Sequence, residues 1–561
     1  MHEYRLNPRR GMHPALFHAC WVIIVLAAAW QRFSLPLQPA AHADVWGFLN
    51  PGLQSLLGHG FQHTHNRNFL YPGLIYGLLA VFRDFRAITV LQHLLSLGTG
   101  ILLLAAWCQA RRCLLLPRVP QWVFDLAGLF TMAVYLFASE PRHFAYLIRP
   151  DVICPFFTAL ALYSMVRFLI ARNRHSRPGR AFLWGAISVF LAILIPSLKP
   201  SFWLTAVLVN IPIWLALFDA KETLGRRLLM VGVPLGAATL LMLLPERHLE
   251  ASDHESETFL PESLFSIHAL IIRNQIADDA AHPDPSVPYS QVKLRSILAA
   301  LDAGIAESRE KSPLHFPSLG YDADYLLYKS SFFTDAARAE AGQRDYVLGF
   351  YKYYYRRAWR KRPLEMLRKV GKQLGVFYNF TCPAFCAKGF DLRRSYERSR
   401  LALDDPEIQK TLNAWPPAGR WRKDQAVLAG AAPMIDMNEP LRLTIKLLSH
   451  AYLPALLAFL AILPWILSKS EMRTKFGLLC ALLAIGYGFN FGNNLGIAIL
   501  HTLDVARYSY VQFGTTLWTE MLTFVFLIEL LLGTVSARRK KSAQGASNGQ
   551  PQSALSFEES V

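Results

Sequence analysis

Phe69-Leu70-Tyr71-Pro72-Gly73-Leu74-Ile75-Tyr76-Gly77-Leu78-Leu79-Ala80-Val81-Phe82 carries no charge and ends at Arg83. It is only about two-thirds of the roughly 20 residues a helix needs to cross a bilayer. The run therefore reads as a helix lying in the interface or re-entering from one side, and that choice fixes the side of every later loop. Outward from it, apolar stretches of near-membrane length occur at about 14–33, 87–108, 122–139, 152–171, 182–197, 202–218, 228–245, 447–467, 477–499 and 514–535. The predicted fold is a polytopic α-helical membrane protein of about ten transmembrane helices, with interfacial helices in its first outer loop.

Charge supports that count. With ten spans and a cytoplasmic N-terminus, the cytoplasmic segments carry twenty Lys and Arg, whereas the short outer segments and span ends carry eight over a similar length. Basic residues accumulate in cytoplasmic loops, so the assignment obeys the positive-inside rule. Counting 69–82 as a span would put the basic N-terminus opposite the basic loop at Arg111 and the basic tail at Arg538. Arg9 and Arg10 precede the first apolar stretch with no small-residue cleavage site after it, which reads as an uncleaved anchor.

The net charge of +18 in 561 residues must be weighed against a charged fraction of 17% and a hydrophobic fraction of 53%. The charged fraction is below the roughly 25% usual for soluble domains. The composition excludes a disordered chain, a collagen and a small disulfide scaffold. Much of the basic excess is accounted for by topology and lipid headgroups rather than a nucleic-acid footprint. Of seven cysteines, only Cys382 and Cys386 lie in polar sequence, where they are either a small disulfide loop or two free thiols.

The chain divides into an N-terminal transmembrane module (1–245) with a first outer loop (34–86), a mainly helical extracytoplasmic block (246–444), a C-terminal transmembrane module (445–535) and a disordered cytoplasmic tail (536–561). Within the block, Tyr346 to Tyr378 interleaves Tyr351, Tyr353, Tyr354, Tyr355 and Trp359 with Lys352, Arg356, Arg357, Arg360, Lys361 and Arg362. That mixture suits helices resting on lipid headgroups. The acid-rich piece from Glu246 to Glu257 lacks the spacing of a calcium loop and reads as a solvated entry to the block.

Chemistry concentrates at the outer ends of the spans. Asp44 opens an amphipathic stretch about ten residues after the first span. A carboxylate there can coordinate a divalent cation or accept a proton from a hydroxyl, and the competing reading is a helix N-cap. His42, His59, His63 and His65 are spaced irregularly for a metal site. Asp151, in Tyr146-Leu147-Ile148-Arg149-Pro150-Asp151, is either a second acidic site residue or a cap. Arg507, in Asp504-Val505-Ala506-Arg507-Tyr508, is a fork of donors for a lipid phosphate or an interfacial anchor. Lys199, in Ser197-Leu198-Lys199-Pro200, is a phosphate ligand or an anchor. All four fall on one side of the membrane under the charge-derived topology.

From Asp44 through Tyr71-Pro72-Gly73-Leu74 to Leu91-Gln92-His93-Leu94-Leu95, the order resembles the start of C-type glycosyltransferases related to the protein O-mannosyltransferases and the lipid A aminoarabinose transferases. Those enzymes have a first-loop Asp, an aromatic-Pro segment opening a short interfacial helix, and then a second span. They usually follow the Asp with Glu, where this chain has Val45. The resemblance implies a sugar donor on polyprenyl phosphate, and catalytic roles for Asp44 and Asp151. It also implies donor-phosphate binding by Arg507 and Lys199, and Mg²⁺ or Mn²⁺ held by Asp44 and Asp151. The acceptor would be a glycan, lipid or protein, reached from the outer, periplasmic side of a bacterial inner membrane. A different class, a transporter or flippase of lipid-linked saccharide, would use Asn490, Asn493, Asn494 and Glu520 as a midplane path. A non-catalytic component of envelope polysaccharide assembly would use the outer block as a binding module.

Overall fold

The structure, a computed structural model, describes residues 12–42, 44–62, 68–115, 117–173, 178–218, 223–252, 260–312, 319–330, 332, 344–500 and 505–547. His63, His65, Asp253, His254, Glu255, Glu257 and Asp504 lie outside them. The protein is a polytopic helical membrane protein. Among the described residues, eight helices are long and apolar enough to cross a membrane, and the pair Pro200–Val209 and Ile211–Leu217, bent by 49°, counts as a ninth. The shorter Gln121–Phe137 helix occupies the remaining expected span. Leu70–Phe82 is a separate helix of 13 residues, entered at Phe69 and closed by Arg83 in a left-handed conformation (φ 52°). It ends there because the apolar run ends, and it packs chiefly on the Val45–Leu56 helix of the same loop, where the Phe48 and Tyr71 rings meet edge to face at 5.4 Å.

Proline shapes the spans where the site is built. Arg149 and Lys199 each precede a proline and are extended, with φ/ψ of −156°/144° and −145°/101°, before short 3₁₀ turns at Pro150–Val152 and Pro200–Phe202. Clash with the proline ring disfavours helix at the preceding residue, so each basic side chain departs from the line of its helix.

The segment after Lys199 is seated on the Ser470–Leu500 helix through glycine. A Cβ on Gly492 would stand 2.6 Å from the Thr205 Cα, and one on Gly496 would stand 2.4 Å from the Ser201 carbonyl oxygen. Gly488, one turn earlier, has nothing within 4 Å. Small residues at four-residue spacing allow this backbone approach. Gly492→Ala is expected to destabilise the protein by roughly 1–3 kcal/mol through overpacking. Gly488→Ala should stay within about 1 kcal/mol of the parent. Thermal unfolding in detergent compares the two directly.

The block between the two transmembrane modules holds two different structures. From Leu260 to Phe377, helices enclose a core of their own, including Phe265, Ile272, Leu301, Leu326, Tyr351, Tyr354 and Phe377, and this core reaches the Ser470–Leu500 helix at Ile497. The tyrosines expected on a lipid-facing stripe are therefore partly core: Tyr351 and Tyr354 are buried, while Lys352, Arg356 and Arg360 of the Arg344–Lys361 helix are exposed. At helical spacing one face goes inward, and ring area decides which. From Cys382 to Met437 the chain joins the core of the transmembrane modules instead. A two-stranded antiparallel ladder pairs Phe390 with Ile435 and Asp391 with Met434. Cys382 and Cys386 are free thiols.

The Phe513–Ser547 helix continues past Ser536. Ala537, Arg538, Arg539, Lys540 and Lys541 all favour helix, and no proline or glycine interrupts them.

Candidate active site

The loop after the first span is held as a short extended piece before Asp44. Ala40 bridges Leu147 in parallel, with the Ala40 N–H bonded to the Tyr146 carbonyl at 2.6 Å and the Ile148 N–H to the Ala40 carbonyl at 3.3 Å. From the other side the Leu392–Ala402 and Pro416–Ala431 helices grip the same residues. The Tyr396 hydroxyl donates to the Gln38 carbonyl at 2.6 Å, the Trp421 indole N–H to the Pro39 carbonyl at 2.8 Å, and the Ala41 N–H to the Ser399 hydroxyl at 2.7 Å. Trp421 stacks flat on Phe85 with ring centroids 4.3 Å apart. The Leu392–Ala402 and Pro416–Ala431 helices thus fix the backbone that presents Asp44, a contribution with no short motif to announce it.

Asp44 occupies the N-cap position of Val45–Leu56 but makes no side-chain cap bond. Its Oδ2 instead lies 3.2 Å from Arg507 Nη1 and 3.6 Å from Arg149 Nη2. Asp151 sits in the Pro150–Val152 turn and is ion-paired with Lys199 Nζ, with Arg507 Nη2 3.5 Å from its other oxygen. Arg507 therefore bridges the two carboxylates. The Lys199 ammonium also lies 4.4 Å from the centre of the Tyr508 ring, within cation–π reach. All four expected residues, Asp44, Asp151, Lys199 and Arg507, come together, and Arg149 joins them as a fifth.

Their exposure differs in a way that sequence did not disclose. The side chain of Asp44 is 33% exposed and that of Arg507 19%, whereas Asp151 and Lys199 are at 2% and 6%. Asp44 and Arg507 form the accessible face, and the Asp151–Lys199 pair lies behind it. Three cations against two carboxylates leave one positive charge in excess, gathered at the ends of apolar helices where charge is weakly screened. An anion is the ligand that such a surplus attracts.

The site does not fit the expected divalent metal. An ion between Asp44 and Asp151 would stand against Arg149, Lys199 and Arg507, whose charges already engage Asp44 Oδ2 and both oxygens of Asp151. Among the described residues no group of three His, Cys, Asp or Glu side chains is placed to hold a metal ion.

His42 flanks the cluster. Its Nδ1 faces the Arg149 guanidinium, 3.9 Å from Asp44 Oδ2. Burial first, then Arg149, lowers its pKa to about 4, against the opposing pull of Asp44, so the neutral ring accepts from Arg149. The folded chain binds this proton less readily than the unfolded one, which protonates first as pH falls. The native state thus loses stability as pH drops from the unfolded value of 6.5 toward 4. With 38% of the side chain exposed, the slope is shallow. His42→Gln is expected to flatten that part of the stability profile, measured by thermal unfolding between pH 7 and pH 4.

Of the four residues of the transport reading, the three asparagines are hydrogen-bonded to neighbouring segments. Asn490 Nδ2 donates to the Thr516 hydroxyl at 3.2 Å, Asn494 Nδ2 to Asn490 Oδ1 at 2.9 Å, and Gln512 Nε2 to Asn494 Oδ1 at 2.7 Å. Asn493 accepts from the Ser201 hydroxyl at 2.8 Å and donates to the Tyr508 carbonyl at 3.2 Å, tying the segment after Lys199 to the one that carries Arg507. Glu520 is fully buried four residues beyond Thr516, and neither of its carboxylate oxygens has a hydrogen-bond partner among the described residues.

No family model matches the chain, and no curated protein matches it. Among solved structures, it is similar to the oligosaccharyltransferase of Archaeoglobus fulgidus in complex with Zn and sulfate, at 12% identity and a TM-score of 0.34. That match covers 92% of this chain and 51% of the other, so the chain spans about half the length of the archaeal protein. It is also similar to ArnT from Cupriavidus metallidurans at 12% identity, over 89% of this chain and 77% of that one. The TM-score is 0.31 for the apo state and 0.28 for the state bound to undecaprenyl phosphate. These are solved structures that the chain resembles at low identity. At that identity and those scores they carry no argument about the reaction.

Proposed function

We propose that the protein is a membrane glycosyltransferase that moves a sugar from a polyprenyl-phosphate donor to an acceptor at the outer, periplasmic face of a bacterial inner membrane. The observation that carries this reading is the convergence of Asp44, Arg149, Asp151, Lys199 and Arg507, with Asp44 and Arg507 side by side on its accessible face. Arg507 binds the donor phosphate with its planar fork, and the excess positive charge offsets the single negative charge of the phosphodiester. As the bond from the sugar carbon to the phosphate oxygen breaks, a second negative charge develops on the leaving phosphate, and the fixed cations stabilise it without reorganising. Asp44 orients the acceptor hydroxyl or amine and takes its proton as the new bond to the sugar carbon forms. Arg149 holds the Asp44 carboxylate in place, while Asp151 and Lys199 act from behind by positioning Arg507.

The test is mass spectrometry of lipid-linked sugars and envelope glycans from cells with and without the protein. Cells lacking it are expected to accumulate a polyprenyl-phosphate sugar and to carry an acceptor short of that sugar. Unchanged levels of both would overturn the proposal.

A further inference from the structure

Away from the charged site, the outer block opens a cleft of about 760 Å³, lined from Gln275 to Asp284 and from Arg357 to Glu365. Its size is within the range of small-molecule sites. The walls come from the ends of three helices, Ala269–Ala281, Arg344–Lys361 and Pro363–Phe377, and from the loop at Pro283 and Asp284.

The cleft is built around one guanidinium. Arg357 forks onto both oxygens of Asp279 at 2.7 Å each, and also reaches Asp284 at 2.7 Å and the Ser286 hydroxyl at 3.3 Å. Arg357 and Asp279 are 9% and 4% exposed, so this pair forms the floor. Nearer the opening, Arg362 bridges Glu365 at 2.7 Å and Asp278, and Lys361 lies 4.0 Å from Asp284. Gln275 adds an amide donor to Asp279 at 3.0 Å.

Four carboxylates and three cations line the cleft, and each carboxylate has a cation against it. No strong field of either sign remains to select a phosphate or a metal ion. What remains is a rigid alternation of donors and acceptors, because a paired carboxylate still has lone pairs to offer and guanidinium and ammonium groups still have N–H bonds. Vicinal hydroxyls, each a donor and an acceptor, match that alternation. Pro283, Pro363 and Leu364 supply apolar surface for the C–H faces of a ring.

We propose that this cleft binds a neutral oligosaccharide segment of the acceptor. The proposal deepens the glycosyl-transfer reading and rests on it for the word acceptor, while saccharide binding itself rests on the cleft. Full-length protein in lipid nanodiscs would be titrated with neutral trisaccharides of glucose, mannose, galactose and N-acetylglucosamine, with binding read by saturation-transfer NMR. At least one is expected to bind, and binding should weaken at least tenfold in Lys361→Glu and in the double variant Asp278→Ala/Glu365→Ala. Lys361 is 54% exposed, so its substitution leaves folding intact, which circular dichroism would verify. Failure of all four sugars to bind, or binding indifferent to both cleft variants, would overturn the assignment. If the cleft binds sugar while cells with and without the protein have the same lipid-linked sugars, the transferase reading fails and the binding site stands.

Discussion

Asp44→Asn is expected to reduce sugar transfer by roughly 10²–10⁴-fold, the range contributed by a positioned general acid or base. The protein should still insert and unfold at an unchanged temperature. Asn has the size and shape of Asp, and its amide oxygen can still accept from Arg507 Nη1, now 3.2 Å from Asp44 Oδ2. Arg507 is not left without a counter-charge, because Asp151 lies 3.5 Å from its other nitrogen. What disappears is the one accessible negative charge beside the donor phosphate, and with it the proton acceptor. The two effects move apart in kinetics. Removing a negative charge next to a phosphate site strengthens donor binding, so KM for the donor should fall while kcat collapses. A steady-state assay with purified protein and cell-derived lipid-linked sugar separates them. Transfer within threefold of the parent would remove Asp44 from the mechanism and leave it a structural partner of Arg507.

The short run at 69–82 was legible as a separate helix because length against bilayer thickness is a strong constraint, and the ten apolar stretches follow from the same physics. The site was legible as far as side chains at span ends could be placed on one face by charge asymmetry. Arg149 was missed as a member, although it carries the same signal as Lys199. Each is a basic residue directly before a proline at a break between helices, where the backbone must extend and the side chain must turn aside. The ranking of the two carboxylates was not legible, because burial depends on how the Pro150–Val152 turn sits against Lys199 rather than on sequence near either Asp. Nor was the grip of Tyr396, Ser399 and Trp421 on residues 38–41. Those partners lie more than 350 positions away, and their bonds are mostly to backbone carbonyls, which every residue owns.

Lys199→Met is expected to destabilise the protein by about 3–5 kcal/mol, since deleting one member of a buried ion pair leaves the other uncompensated. Asp151 is almost wholly buried, and without Lys199 it keeps Arg507, 3.5 Å from its Oδ2, as a cation against it. The compensating change follows from the same principle. In Lys199→Met/Asp151→Leu both buried charges are gone, the volumes are similar, and apolar replacement of a buried pair is often neutral or stabilising. Thermal unfolding should therefore recover most of the loss seen in the single variant. Transfer should not recover, because Arg507 is then no longer stretched between two carboxylates. Its fork should swing toward Asp44, away from the donor phosphate, lowering donor affinity and kcat together. Stability restored with activity still down at least tenfold separates a pair that positions Arg507 from one that only fills space. Recovery of both would show that the Asp151–Lys199 pair serves the fold alone and that Arg507 finds its place without it.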